Sequence, residues 1–145
     1  VAIVDLDRTP GTGTLYGRAA LSPLRRSRPA ALPELTLRRR GIRVDPGHLA
    51  GYRGVCGLEP AATLPATYPY VLGFPLAMSL MSRPDFPVPV PGLVHLVQRV
   101  SLLGPLPAGE PLDLTVSATD LRPHRRGLAF DVVTTAGHGD SVAWR

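Results

Sequence analysis

The chain has 145 residues, enough for one domain with a real hydrophobic core, and its 44% apolar content is that of a globular protein. Fifteen glycines and 17 prolines interrupt it without making it low-complexity, and no apolar run reaches the roughly 20 residues of a membrane span. The net charge of +5 rests on 16 arginines and no lysine, with ten arginines against four acids in residues 1–53 and six against seven in the remainder.

The single cysteine, Cys56, excludes an internal disulfide and suits a reducing, cytoplasmic compartment. The opening VAIVDLDRT lacks the charged and long apolar regions of a signal peptide. Val1 at one end and Trp144–Arg145 in a predicted strand at the other both read as cuts in a longer protein.

In chain order, residues 1–6 are β-prone, and Arg8 to Thr14 form a Pro/Gly loop. Leu15 to Leu24 suit a short helix weakened by Gly17 and Pro23, and Arg25 to Pro33 form a basic connector expected to be disordered. Residues 1–34 are therefore read as an N-terminal extension and 35–145 as the main domain, its last strand cut short. That domain begins with a predicted strand over Leu35–Val44, where Leu35, Leu37 and Arg39 alternate with Thr36, Arg38 and Arg40. A helix follows, with Asp45 as N-cap, Pro46 in the first turn and Gly57 to end it. It carries a stripe of Leu49, Tyr52 and Cys56, while Gly51 and Gly54 each weaken it by about 1 kcal/mol relative to alanine.

The stretch from Leu64 to His95 is the most apolar part of the chain. Pro65 and Pro69 hold its start extended, and Pro75 fits the first turn of a helix, where its missing N–H is not needed. The expected helix is therefore Pro75–Ser82, stopping near Arg83, with Leu76, Leu80 and Met81 on one face and Ala77 and Met78 beside it. A Pro-rich crossing leads to a predicted strand over Gly92–Leu103, alternating Val94, Leu96, Val100 and Leu102 with His95, Val97, Arg99 and Ser101. Leu112–Leu121 is the clearest strand, with Leu112, Leu114, Val116 and Ala118 opposite Asp113, Thr115, Ser117 and Thr119. A turn at Pro123–Arg125, a strand over Arg126–Ala136 and a last strand from Ser141 complete an α+β domain in which a helix packs on one face of an antiparallel sheet.

Candidate sites are few. Asp5-Leu6-Asp7-Arg8-Thr9 resembles the nucleophile motif of haloacid-dehalogenase-type phosphatases. That chemistry also needs a lysine and a later acidic pair, and the chain has neither, so the motif reads as a strand ending in a polar loop. Gly11-Thr-Gly13 lacks the third glycine of a dinucleotide fingerprint, since Gly17 comes one position late. His48, His95, His124 and His138 have no zinc spacing, so no metal site is expected, and no Gly-x-Ser-x-Gly elbow is present. His48, His124 and His138 are expected to be solvated; His95, between apolar neighbours, reads as a structural histidine or a pocket residue. The arginine clusters lack interleaved aromatics and any helix-turn-helix or RNP pattern, so they read as solvated faces or an anion-touching edge, with no nucleic-acid partner expected.

The order LPATYPYVLGFPLAM, LVHL, PLPAGEPLDLTV, RPHRRGLAFDVVTTA and a terminal Trp resembles the N-terminal half of MaoC-like dehydratases of the hydratase 2 type, from about Leu15 onward and most closely from Leu64. The resemblance implies a hotdog fold, a curled antiparallel sheet wrapped around a central helix, here short and proline-interrupted. It also implies an enzyme of fatty acid metabolism that adds water to enoyl thioesters or removes it from (R)-3-hydroxyacyl thioesters, with an Asp and a His as acid and base and no cofactor. The family signature Gly-Asp-x-Asn-Pro-x-His is missing: the equivalent Tyr68-Pro-Tyr-Val-Leu-Gly-Phe-Pro75 holds neither acid nor histidine. No catalytic residue is therefore assigned. Tyr68, Phe74, Met78, Met81, Phe86 and His95 are the candidates for lining an acyl pocket, each weighed against plain core packing. The implied partners are an acyl-CoA or acyl-carrier-protein thioester and a second hotdog, covalently attached or as a dimer or hetero-oligomer. The alternative is a single-hotdog binding or assembly subunit with a separate catalytic partner.

Overall fold

The computed structural model describes residues 2–8, 11–21 and 29–145. The first four residues of the basic connector, with Arg25, Arg26 and Arg28, lie outside them, as do Val1, Thr9 and Pro10. Among these residues five strands form one sheet in sequence order: β1 (Ala2–Asp5), β2 (Leu35–Ile42), β3 (Leu112–His124), β4 (Gly127–His138) and β5 (Ser141–Trp144). β1 runs parallel to β2, and every other neighbour is antiparallel. Among the described residues three helices accompany the sheet, α1 (Thr12–Leu21), α2 (Pro46–Cys56) and α3 (Tyr68–Met81). The expected α+β architecture is present, with the sheet curled about α3.

The alternation read from the sequence builds this core. Leu35 and Leu37 of β2, Leu112, Leu114 and Val116 of β3, and Ala136 of β4 are buried together with Leu76 and Leu80 of α3. Burying each such leucine stabilises the fold by about 1.5–3 kcal/mol. α2 starts and stops as expected: Asp45 Oδ1 accepts the His48 N–H at 2.7 Å, and Gly57 turns left-handed at φ 64°. Its buried pair is Leu49 and Arg53; Cys56, expected on the same stripe, is exposed.

Three expectations are corrected. The central helix begins at Tyr68, seven residues before Pro75, and runs through that proline. Pro69 is the true first-turn proline, and an interior proline costs about 3 kcal/mol. The complete burial of Tyr68, Leu76 and Leu80 offsets that cost. Gly92–Leu103 starts in a turn and forms no strand ladder among the described residues. From Ser101 it borders β5, where Ser101 and Arg145 exchange backbone hydrogen bonds of 2.7 and 3.0 Å and the Leu103 N–H donates to Ala143 O. Among the described residues no strand lies beside residues 92–100, so their alternation has no pairing partner there. The hairpin also shifts: β3 continues to His124, and the turn falls at Arg125–Arg126.

α3 lies close on the sheet at one point. A Cβ added at Gly73 would stand 2.7 Å from Thr134 Cγ2 of β4. Gly73→Ala is expected to destabilise the protein by about 1–3 kcal/mol, read as a lower urea midpoint at unchanged slope. Adding Thr134→Ser, which deletes that methyl, should recover most of the loss. A double variant no more stable than Gly73→Ala would place the conflict elsewhere.

Candidate functional site

α3 is apolar all round, and a helix of that kind is covered on more than one side. One side rests on the sheet through Pro69, Gly73, Leu76 and Leu80. The other carries Tyr70, Phe74, Met78 and Met81, which recur at helical spacing, and the Pro-rich crossing lies against part of it. Met78 is buried against Met81 and Val90 in a small cluster separate from the main core. Toward the helix start the cover thins: Tyr70 packs beside Phe74 (ring centroids 6.2 Å apart) and His95 (6.4 Å), and Phe74 remains 38% exposed.

The structure thus brings four of the six sequence candidates to one side of α3. Phe74 and His95 meet around Tyr70, and Met78 and Met81 meet under Val90. His95 is exposed, its Nε2 lying 3.0 Å from Val97 O. Tyr68 and Phe86 belong to the main core, where the Phe86 ring stands edge-on to Phe130 at 5.1 Å. None of the six lines the cavity of about 120 Å³ bounded by Leu64, Pro69, Leu102 and Trp144.

At the start of α3 the polar groups form a chain. The buried Tyr68 hydroxyl and His48 Nδ1 are 2.7 Å apart, Tyr52 stands edge-on to Tyr68 at 5.1 Å, and the Tyr52 hydroxyl meets Thr67 Oγ1 at 2.6 Å. Burial, and then the charge of Asp45, pushes the Tyr68 phenol above its ordinary value, so it stays neutral and holds His48 as a partner. His48 is exposed, as expected, but this bond across 20 residues has no local sequence signal.

Among the described residues, the one approach of a histidine to a carboxylate within ion-pair range is His138 Nε2 to Glu110 Oε2 at 4.0 Å. No group of three or more His, Cys, Asp or Glu side chains is placed to hold a metal ion among them either. Asp5, the first acid of the phosphatase-like stretch, is engaged side-on by Arg38 at 2.7 and 2.9 Å, and that guanidinium holds its carboxyl below the usual range. It is a strand latch. No helix among the described residues is long and apolar enough to cross a membrane.

No family model matches the chain. The chain is similar to 3-hydroxyacyl-thioester dehydratase X of Mycobacterium tuberculosis, with 37% identity over 113 residues, covering 78% of this chain and 40% of the relative. Two crystal structures of HtdX from the same organism superpose with TM-scores of 0.70 and 0.65 at 37% and 36% identity. They cover 75% and 74% of this chain and 47% and 44% of those chains. The chain therefore spans less than half the length of the relatives it matches.

Proposed function

This chain belongs to the MaoC-like dehydratase family, and from that premise we propose that it forms the N-terminal hotdog half of an (R)-specific enoyl-thioester hydratase or 3-hydroxyacyl-thioester dehydratase. It walls the acyl site, and the catalytic Asp and His come from a second hotdog. The observation that carries this reading is the start of α3. Tyr68, Pro69 and Tyr70 stand where an acid and a histidine would be needed, and the tyrosine hydroxyl there is committed to His48. Proton transfer to and from water needs a group within hydrogen-bond reach whose pKa lies near the working pH. A buried phenol pushed upward is a poor candidate.

The side of α3 that carries Phe74, Met78 and Met81 suits an acyl chain instead. Thioether side chains adapt to irregular apolar shapes. Over the 11 steps from Tyr70 to Met81 the helix rises roughly 16 Å, comparable with an extended medium-length chain. The open stretch beyond supports a partner. Val94, Leu96 and Val97 are 75%, 60% and 62% exposed, and residues 94–100 lack backbone partners among the described residues. A second hotdog adding a strand there would cover both. That the curated relative is more than twice as long as the matched region supports a two-half enzyme over a free-standing binding subunit.

The chain alone is expected to hydrate neither crotonyl-CoA nor longer enoyl-CoAs, while the assembly with its catalytic half does. Met78→Trp in that assembly should lower kcat/KM for long enoyl-CoAs by about tenfold or more and leave crotonyl-CoA nearly unchanged. Hydration by the isolated chain would overturn the assignment of roles. An equal loss on short and long substrates would remove the acyl wall.

A further inference from the structure

The Pro-rich crossing over the far end of α3 is held more firmly than the wall it covers. At its start the Arg83 guanidinium grips Asp85 through hydrogen bonds of 2.8 and 2.7 Å. Phe86 follows, fully buried and edge-on to Phe130 of β4 at 5.1 Å. At its end the Val90 carbonyl accepts the Leu93 N–H at 3.1 Å, in a turn where Gly92 takes a positive φ of 93°. Between these two anchors the sequence alternates, Pro87-Val88-Pro89-Val90-Pro91. Each proline fixes its own φ and holds the residue before it extended, and a β-branched side chain has few rotamers to move into. The two valines serve different clusters. Val88 packs against the main core, and Val90 against Met78 and Met81.

Val90 therefore stands at one end of the thinly covered part of α3. At the other end His95 lies beside Tyr70, and the partly exposed Phe74 is between them. From Tyr70 to Met78 the helix rises roughly 12 Å over eight steps. Methionine side chains yield to the shape of what lies on them, whereas a valine set between two prolines does not.

We propose that Val90 is the stop that limits the acyl chain, so that the site takes short and medium chains and turns longer ones away. This rests on the acyl-thioester reading above and adds a limit to it. The chain lies over Phe74 with its tip against Met78 and Val90. The next methylenes would have to lift a crossing anchored at Phe86 and at the Val90–Leu93 turn. A misfit of that size in an apolar pocket is rejected about tenfold or more.

The test is a series of enoyl-CoAs of increasing even chain length, assayed with the assembly of this chain and its catalytic half and read relative to crotonyl-CoA. kcat/KM is expected to fall by about tenfold or more at one two-carbon step. Val90→Ala should move that step to a longer chain, and Val90→Phe to a shorter one. Val88→Ala is the control, since Val88 also lies between prolines but packs on the main core. It should lower the urea midpoint and leave the step in place. A step that stays put in both Val90 variants, or moves as far in Val88→Ala, would overturn the stop while hydration, and the reading it rests on, survive. An assembly that hydrates no chain length would overturn that reading and the stop together.

Discussion

Trp144→Ala is expected to destabilise the protein by about 3–5 kcal/mol, among the largest losses available to a single side chain here. Trp144 is 1% exposed, and its indole N–H donates to Ala66 O at 2.6 Å across 78 residues. It ends β5, faces Ala136 of β4, and bridges to Leu102 of the extended stretch. Truncation therefore removes a large apolar volume next to an existing cavity, and frees both the loop that leads into α3 and the segment at 101–104. Trp144→Phe keeps most of the volume but strands the Ala66 carbonyl, and should fall between the two at about 1–3 kcal/mol below the parent. Chemical denaturation orders the three; an alanine variant within 1 kcal/mol of the parent would show that this corner contributes little.

Gly137→Ala is expected to cost about 3 kcal/mol or more and to unpair β5. β4 and β5 change register between Ala136 and Gly137, and the backbone there turns so tightly that an added Cβ would run into the carbonyl oxygen of Ser141. That obstacle is main chain, so no rotamer change relieves it. Gly139, two residues on, has the left-handed φ of 58° but open space around it. Alanine there should cost only about 1–2 kcal/mol. The ranking is the test: hydrogen exchange across Ser141–Trp144 should rise sharply for Gly137→Ala and little for Gly139→Ala. The opposite order would mean that dihedral strain, and not contact, governs this turn.

The sheet was legible wherever one face is buried and the other wet. Leu112, Leu114 and Val116 against Asp113, Thr115 and Ser117 is such a case, and the buried and half-buried residues of β3 alternate in the same way. Asp45, Pro46 and Gly57 marked α2 because caps act within a few residues. α3 was harder. Two prolines competed for its first turn, and a helix apolar on every side offers no periodicity to arbitrate, so tertiary burial decided in favour of Pro69. Gly92–Leu103 alternates like a strand, yet a strand needs a neighbour, and the pattern alone does not say whether this chain supplies one. The burial of Arg53 has no sequence signal, because a charged residue does not mark a buried face and its partners are backbone carbonyls that leave no trace in side-chain identity. Of the pocket candidates, the helical spacing of Phe74, Met78 and Met81 was readable. The meeting of Phe74 and His95 around Tyr70 depends on how the crossing folds back, which no spacing encodes.

β1 gives the sheet two unlike borders. It is four residues long, parallel to its neighbour, and fastened at its end by Asp5 to Arg38, so it offers little to a further strand. The opposite border is β5, flanked by the backbone of residues 101–104, and residues 94–100 just before that segment make no backbone–backbone hydrogen bond among the described residues and expose Val94, Leu96 and Val97. A further strand therefore has one side of the sheet on which to add, so an addition there would leave no second open side behind it. That asymmetry separates the addition of a single strand from the runaway stacking that an exposed edge otherwise invites.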